Sequence, residues 1–265
     1  VRTLTRHRSH FSRRGFVLAR DLPDAARALE AGLATGSGVI SELRPGFLFT
    51  GQGAHLARQG QGLSQRFPVF AEALGRAAAA LSRADPRLPG LHEILFGDGT
   101  LLKRIDLAQP ALIALSYALD RLWRSLGVAP AAMTGHSLGE IAACLSAGAL
   151  ELDGAMLLAL RRGRLMAGLP HPGAMAGVAL SAGALQARLD DWRLPGLSVA
   201  AENGPAASSL AGPEDSMAKA LDRLSRDRVA ARRLATPVAF HSAVLDPVLD
   251  GLERAAADIP ASAPQ

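Results

Sequence analysis

The pentapeptide Gly135-His136-Ser137-Leu138-Gly139 leaves the backbone around it very few conformations. A strand-like stretch at about 131–134 precedes it, and a helical pattern at about 139–149 follows. A G-x-S-x-G element is expected where a strand turns sharply into a helix, and a side chain at either glycine would collide with neighbouring backbone. Such a turn places the Ser137 hydroxyl at a helix N-terminus, where backbone amides and the helix dipole favour a developing oxyanion. Ser137 is therefore a candidate nucleophile, with a purely structural turn as the alternative.

The order of strand and helix patterns along the chain predicts an α/β fold. Phe47–Thr50 has the composition of a buried strand, and helical patterns follow at about 61–83 and 108–126. Together with the strand, turn and helix around Ser137, they predict a hydrolase-like large domain with a parallel sheet and a nucleophile elbow.

From about residue 171 the pattern changes to short alternating elements. They are strand, helix, strand, strand, helix and strand, at 173–180, 181–192, 197–201, 208–211, 216–227 and 229–234. The order β-α-β-β-α-β is that of the ferredoxin-like split unit. We therefore predict a ferredoxin-like small domain over 171–235, inserted into a large domain formed by 45–170 and 236–265 that includes a helix at about 247–257.

Charge and composition exclude several classes of protein. Six of the 29 basic residues lie in the first 20 residues, and the rest of the chain carries 23 basic and 24 acidic residues. A nucleic-acid interface needs a basic face with stacking groups, but only 4% of the residues are aromatic, so no nucleic-acid partner is expected. The single cysteine, Cys144, excludes a disulfide framework and a cysteine-based zinc site, and we expect no metal. Because no apolar run reaches the roughly 18 residues of a membrane helix and no signal peptide is apparent, we expect a cytoplasmic protein without a membrane partner.

A nucleophilic serine needs a base, and His241 is the candidate among the seven histidines. It follows Ser137 by 104 residues, and in α/β hydrolases too the base follows the nucleophile along the chain. The side chain of His136 is expected to diverge from that of its neighbour Ser137. The remaining histidines lie in the charged terminus or in loop-like stretches, where exposure is expected: His7, His10, His55, His92 and His171. A hydrogen-bonded core histidine is the alternative for His241.

Two further motifs carry groups that could contact a substrate. Gly51-Gln52-Gly53 ends a predicted strand, and its glycines would let the Gln52 N–H serve as a second oxyanion donor, with an ordinary turn as the alternative. The run Arg161-Arg162-Gly163-Arg164 is typical of a solvated helix end. One arginine of this run that faced the site would instead bind a substrate carboxylate through two hydrogen bonds.

Seven motifs in order are spread over 49–242, which is most of the chain: FTGQGA at 49–54, AQPA at 108–111, GHSLGEIAA at 135–143, RGRLM at 162–166, GAM at 173–175, ENGP at 202–205 and AFHS at 239–242. Together they resemble the acyltransferase domain of modular polyketide synthases. More distantly, they are similar to the malonyl-CoA:acyl carrier protein transacylase of fatty acid synthesis. Residues 1–44 look like the linker that joins a ketosynthase domain to its acyltransferase in such a megasynthase.

The resemblance implies a role for each matching residue. Ser137 would be acylated by malonyl-CoA, and His241 would take the serine proton and later serve the phosphopantetheine thiol of an acyl carrier protein. Arg162 would clamp the free carboxylate of the extender unit. The backbone N–H groups of Gln52 and Leu138 would form the oxyanion hole, and the remaining implied substrate contacts are Phe240, Gln109 and Asn203. In this family a main-chain carbonyl orients the histidine in place of an aspartate.

The implied reaction is a ping-pong transfer in polyketide biosynthesis without a permanently bound cofactor. A coenzyme A thioester is the substrate, the partner carrier protein bears the phosphopantetheine, and the neighbouring ketosynthase of the same megasynthase is a further partner. Phe240 is expected to crowd an α-methyl group, so that malonyl is preferred over methylmalonyl. The leucine after the serine, Leu138, also resembles the malonyl enzymes, since methylmalonyl enzymes have a glutamine there. Val238 departs from the malonyl pattern, which has a histidine at that position.

Two alternatives stay open. The family continues beyond the position of Gln265 into another strand and helices, which supply the carbonyl facing the histidine, so the large domain is expected to be incomplete. One alternative is therefore a catalytically incomplete fragment with a docking role. The other is a serine hydrolase that releases acyl groups to water, and Arg162 argues against it, because an esterase for neutral esters has no need of a buried guanidinium.

Overall fold

A computed structural model describes residues 9, 11, 13–32, 36–39, 44–53, 56–171 and 173–264 of the chain. The chain divides into two compact units, Val1–Pro45 and Gly46–Gln265. The predicted linker, 1–44, ends next to this division.

In its described residues, the first unit has two short strands and one helix. The strands β1 (Arg13–Phe16) and β2 (Gly36–Val39) pair antiparallel, and α1 (Leu22–Glu30) lies between them in sequence. The helical spacing of Leu22, Ala25, Leu29 and Leu33 predicts a helix over 22–33. The helix begins at Leu22 because the Asp21 side chain accepts a hydrogen bond from the backbone N–H of Asp24 and a proline occupies the first turn. Leu33, where the predicted helix ends, lies outside the described residues.

The larger part of the second unit is built on a short parallel sheet. The strand β3 (Gly46–Phe49) pairs with β4 (Ala132–Gly135), so that Phe49 lies opposite Gly135. The helices of this part that precede residue 170 are α2 (Gln61–Arg66), α3 (Pro68–Ala84), α4 (Leu91–Phe96), α5 (Ile105–Ser125), α6 (Gly139–Ser146) and α7 (Leu152–Ala167). The central helix α5 packs against α3, α6 and α7.

Apolar spacing explains why α3 and α5 form this core. In α3, buried residues recur at intervals of three and four along one face: Phe70, Ala73, Leu74, Ala77, Ala80 and Leu81. In α5, every residue over 107–115 is buried, as expected for a helix that has neighbours on several sides. The single helical pattern predicted over 61–83 is wrong in one respect, because two helices occupy it. Pro68 starts the second helix, and Phe67 before it has an extended backbone with φ −122°, which ends the first.

The strand β3 is less buried than its composition predicts. Phe49 is buried, whereas the Leu48 side chain is 79% exposed. Successive side chains of a strand point to opposite faces, and β4 is the one strand that pairs with β3 in the described part of the chain. Leu48 therefore lies in an open groove with Leu119 and Trp123 of α5 rather than in a core covered on both faces.

The smaller part follows the predicted element order β-α-β-β-α-β. Its elements are β5 (Ala174–Val178), α8 (Ala182–Trp192), β6 (Ser198–Gly204), β7 (Ala207–Gly212), α9 (Glu214–Arg226) and β8 (Ala231–Arg233). The four strands form one antiparallel sheet in the order β6-β7-β5-β8. Leu185 of α8, Met217 of α9 and Leu210 of β7 are fully buried in one apolar cluster, so both helices pack against the sheet.

After β8 the chain returns to the larger part. Residues 235–242 connect the two parts, a 3-10 helix covers Ala243–Val248, and α10 (Leu249–Ala257) packs against α7. The fold is therefore α/β, as predicted. Within the described ranges, every helix is too short or too polar to cross a membrane.

Candidate active site

Ser137 lies in the tight turn between β4 and α6. Its φ of 55° is in the left-handed region, which a residue other than glycine adopts only where the surrounding structure enforces it. The turn is held by hydrogen bonds from the His136 N–H to the Phe49 carbonyl (3.0 Å) and from the Gly139 N–H to the His136 carbonyl (2.9 Å). The Glu140 N–H donates to the Ser137 carbonyl. None of these backbone hydrogen bonds of the turn uses the Leu138 N–H.

The two glycines of the pentapeptide are needed because backbone lies directly against them. A Cβ atom at Gly139 would lie 2.1 Å from the Phe49 carbonyl oxygen, and one at Gly135 would lie 2.2 Å from the Gly139 carbonyl carbon. Both distances are far shorter than atomic contacts permit, so α6 can approach β3 and β4 this closely only with glycine at both positions.

His241 reaches Ser137 from the connection between the two parts. Its Nε2 lies 3.0 Å from Ser137 Oγ, within hydrogen-bond distance. His241 also has a positive φ, 58°, so both partners of this contact have left-handed backbone. Although part of the residue is exposed, loss of hydration lowers the pKa of His241, and the nearby positive charge of Arg162 and the ring of His136 lower it further. The carboxylate of Glu140 acts in the opposite direction.

Arg162 differs from its neighbouring arginines on α7. Arg161 pairs with Asp258 and Arg164 pairs with Asp85, whereas Nη1 of Arg162 is buried without a hydrogen-bond partner among the described residues. Its Nη2 lies 3.4 Å from Ser137 Oγ. Burial lowers the pKa of Arg162, and the Glu140 carboxylate partly offsets this effect. The solvated helix end expected for the run is therefore wrong for Arg162, which lies inside α7 and points at the serine.

A cavity of about 140 Å³ surrounds the serine hydroxyl. We call it the serine cavity, and its described lining residues are Gln52, His136, Ser137, Arg162, Met175, Ser209, Leu234, Thr236, Phe240 and His241. Five of these were predicted to act at the site: Ser137, His241, Arg162, Gln52 and Phe240. The cavity lies where the small part meets the large one, because β5 and β7 contribute Met175 and Ser209.

Three of the predicted site residues are absent from this lining: Leu138, Gln109 and Asn203. The Leu138 side chain is buried in the core, so only its backbone can serve the site. Gln109 is fully buried in α5, and its Nε2 donates a hydrogen bond to Gln52 Oε1 at 3.2 Å. Asn203 is exposed on β6, and its Nδ2 donates to the Ser209 hydroxyl at 3.0 Å. Gln109 and Asn203 thus contact lining residues rather than the cavity itself.

Val238, which departs from the malonyl pattern, is also absent from the described lining. It is 2% exposed and packs in an apolar cluster with Ile105, Met166 and Ala239. Met175 belongs to the GAM motif at 173–175, although no role was predicted for it. Ser209, Leu234 and Thr236 also line the cavity, and no motif of the sequence marks them. Of the histidines expected at the surface, His92 is exposed but lies in α4 rather than in a loop, and His171 is exposed. His7, His10 and His55 lie outside the described residues.

The sequence profile of the acyl transferase domain family matches residues 46–265, so the chain belongs to that family. Its relatives are polyketide synthases. The chain is 37% identical over 268 residues to polyketide synthase GfsA of Streptomyces halstedii, an alignment that covers 96% of this chain and 4% of the relative. It is 41% identical over 218 residues to mycoketide-CoA synthase of Mycobacterium tuberculosis, covering 80% of this chain and 5% of the relative. The chain therefore spans about one twentieth of the length of these relatives.

Solved structures agree with this family. The acyltransferase domain from the second module of the salinomycin polyketide synthase superposes with a TM-score of 0.85 at 37% identity, covering 95% of this chain and 60% of that one. The malonyl CoA-acyl carrier protein transacylase of Coxiella burnetii superposes with a TM-score of 0.77 at 28% identity, covering 84% of this chain and 72% of that one.

Proposed function

We propose that this chain transfers a malonyl-type extender unit from coenzyme A, through an ester of Ser137, to the phosphopantetheine thiol of an acyl carrier protein in polyketide biosynthesis. One observation carries the proposal. A serine hydroxyl 3.0 Å from a histidine nitrogen lies in the same small cavity as a buried guanidinium that has no carboxylate partner among the described residues. This combination suits an ester-forming enzyme whose acyl group carries a carboxylate.

We infer that the turn at Ser137 is a nucleophile elbow within a hydrolase-like large subdomain. The positive φ of Ser137, the strand before it and the helix after it support this inference. We likewise infer that 171–235 form a ferredoxin-like subdomain. The element order and the strand order β6-β7-β5-β8 support this, because they match the split β-α-β-β-α-β arrangement.

In the first half of the proposed reaction, Ser137 Oγ attacks the thioester carbonyl while His241 Nε2 accepts the serine proton. The oxyanion of the tetrahedral intermediate accepts hydrogen bonds from the N–H groups of Gln52 and Leu138. The carbon–sulfur bond then breaks, and the proton on His241 goes to the departing thiolate of coenzyme A. The lowered pKa of His241 supports its role as base, because the imidazole is then neutral at neutral pH and able to accept a proton.

In the second half, the thiol of the carrier protein enters the position that coenzyme A has left. His241 takes the thiol proton, the thiolate attacks the ester carbonyl, and the bond to Ser137 Oγ breaks as the serine regains its proton. The two half-reactions are separated by the acyl-enzyme, which makes the mechanism ping-pong. No resident cofactor takes part in this scheme, since coenzyme A and the phosphopantetheine arm are reactants.

Arg162 and Gln109 act on the substrate and on the oxyanion site, respectively. Nη1 of Arg162, which has no hydrogen-bond partner among the described residues, binds the malonyl carboxylate beside the serine. The hydrogen bond from Gln109 holds the Gln52 side chain, and with it the turn whose N–H faces the oxyanion. Phe240 narrows the cavity on the side of His241, which favours malonyl over methylmalonyl.

We propose a module context for the rest of the chain. Residues 1–44 would be the linker to a neighbouring ketosynthase, while 45–170 together with 236–265 form the large subdomain. The synthases that this chain resembles are many times longer, which supports a place within a multidomain protein.

Intact-protein mass spectrometry tests the function directly. The 265-residue chain incubated with malonyl-CoA should gain one malonyl group, the Ser137→Ala variant should gain none, and addition of a phosphopantetheine-bearing carrier protein should move the group to that protein. A folded wild-type chain that gains no mass would contradict the transferase proposal and favour the non-catalytic docking fragment. Loss of the acyl group to water at the same rate with and without the carrier would favour the hydrolase.

A further inference from the structure

The hydroxyl of Thr236 is buried and has no hydrogen-bond partner among the described residues. Thr236 lines the serine cavity. It lies in the connection after β8, where Pro237 restricts the backbone of the residue before it to extended conformations. The backbone therefore sets the position of the hydroxyl, and no hydrogen bond to a described residue does so.

An unpaired buried hydroxyl lowers stability, because it has lost its hydrogen bonds to water. Valine has nearly the same shape and would fill the same space without that loss. Packing alone therefore does not explain a threonine at this position, whereas a ligand that bonds to the hydroxyl does.

A second cavity identifies the part of the ligand that passes Thr236. This adjoining cavity has a volume of about 550 Å³, and Gln52, Leu56, Leu102, Lys103, Thr236 and Pro237 are among its lining residues. Gln52 and Thr236 line both this cavity and the serine cavity, so they flank the junction between the two. The serine cavity, at about 140 Å³, is well below the roughly 300–1,000 Å³ that encloses a drug-sized ligand, whereas the adjoining cavity falls within that range.

The sizes divide the substrate between the two cavities. The serine cavity has room for the acyl group at Ser137, and the adjoining cavity, on the other side of Gln52 and Thr236, has room for the thiol-bearing arm. In coenzyme A and in a phosphopantetheine-bearing carrier protein alike, an amide follows the sulfur after two methylene groups. That amide is the first polar group of the arm to pass between Gln52 and Thr236.

We propose that Thr236 is a substrate-contacting residue whose hydroxyl hydrogen-bonds the first amide of the thiol-bearing arm. This inference rests on the proposed function, and it adds a contact shared by the donor and the acceptor in both half-reactions. The contact positions the thioester carbon over Ser137 and makes no distinction between acyl groups.

Two variants and two thioesters test the contact. Thr236→Val removes the hydroxyl at nearly constant shape, and Thr236→Ser keeps it. With malonyl-CoA, Thr236→Val should lower kcat/KM for acylation of Ser137 about three- to tenfold, while Thr236→Ser stays near the wild type. With a malonyl thioester of a simple alkanethiol, which has no amide, wild type and Thr236→Val should react equally. Thr236→Val should melt at or above the wild-type temperature, because it removes an unpaired buried hydroxyl.

Other outcomes would overturn the proposal. Equal kcat/KM for wild type and Thr236→Val with malonyl-CoA would show that the hydroxyl makes no contact with the arm. If Thr236→Val loses the same fraction of kcat/KM with both thioesters, Thr236 has a structural role. The same conclusion follows if Thr236→Ser has a lowered kcat/KM and Thr236→Val melts at a lower temperature than the wild type. A changed preference between malonyl-CoA and acetyl-CoA would place the hydroxyl at the acyl group instead of the arm. If wild type itself is not acylated by malonyl-CoA, the proposed function fails, and that result is distinct from any of these.

Discussion

Replacing Arg162 with alanine separates substrate selection from the chemistry at Ser137. One nitrogen of its guanidinium, Nη1, is buried without a partner among the described residues, and a second, Nη2, lies 3.4 Å from Ser137 Oγ. Removing a buried cation that lacks a carboxylate partner should not destabilise the unliganded protein, because burial of an unpaired charge is itself unfavourable. We therefore expect the melting temperature of Arg162→Ala to equal or exceed that of the wild type.

The magnitude of the effect on malonyl transfer follows from the bonds that are lost. A hydrogen bond to a charged group contributes about 1.5–3 kcal/mol, and each 1.36 kcal/mol of transition-state stabilisation changes a rate about tenfold. A carboxylate held by the free Nη1 and the adjacent Nη2 should bring the loss to about 100-fold in kcat/KM for malonyl-CoA. Acetyl-CoA has no carboxylate, so its kcat/KM should change about threefold or less.

Competition between equal concentrations of malonyl-CoA and acetyl-CoA, read by intact mass of the acyl-enzyme, measures this preference. Arg161→Ala is the matched control, because Arg161 lies on the same helix and its exposed pair with Asp258 should contribute only about 0–1 kcal/mol. Arg162→Lys keeps the charge without the two-pronged geometry and should be intermediate. An equal loss with both thioesters in Arg162→Ala, or a wild type that prefers acetyl-CoA, would refute the carboxylate clamp.

Three further predictions concern the base, the turn and the acyl pocket. Burial and the charge of Arg162 lower the pKa of His241 below its ordinary value of 6.5, so kcat/KM with acetyl-CoA should fall only as the pH drops below 6.5. Arg162→Ala should move this fall in kcat/KM to higher pH. A wild-type enzyme whose kcat/KM already falls at or above pH 6.5 would contradict the prediction. Gly139→Ala should lower the free energy of unfolding by about 3 kcal/mol or more in thermal or denaturant unfolding, because its Cβ would lie 2.1 Å from a strand carbonyl oxygen. The control is Gly75→Ala, which has open space around it inside a helix and should raise the free energy of unfolding by up to about 1 kcal/mol. Phe240→Ser should reduce the preference for malonyl-CoA over methylmalonyl-CoA about tenfold in a competition assay, since one methyl group in a pocket is worth about 1–3 kcal/mol, and an unchanged ratio would place the α-methyl elsewhere.

The elements that local pattern specifies were predictable from the sequence. The six elements of the smaller part occur in the predicted order, and the helix after Ser137 begins at Gly139 as the pentapeptide requires. Both depend on short-range features: alternation in strands, spacing of three and four in helices, and glycines where no Cβ fits. Ser137 and His241, 104 residues apart, lie within hydrogen-bond distance, which is the geometry that a base following the nucleophile in chain order requires.

What only the tertiary structure decided is which side of each element meets the cavity. Three arginines stand within four residues of α7, yet two pair with aspartates and Arg162 alone of the three lines the serine cavity. Gln109 and Asn203 belong to matching motifs but contact Gln52 and Ser209 from behind the lining.

The exposure of Leu48 and the unpaired hydroxyl of Thr236 have the same origin. Each depends on what lies next to the residue in the fold. Leu48 lies in the groove on one side of β3, and Thr236 lies at the junction of the two cavities, in the connection after β8. A sequence pattern specifies how side chains alternate along a strand or helix. The rotation of that element against its neighbours, which sets the partner of each side chain, arises only when distant segments pack together.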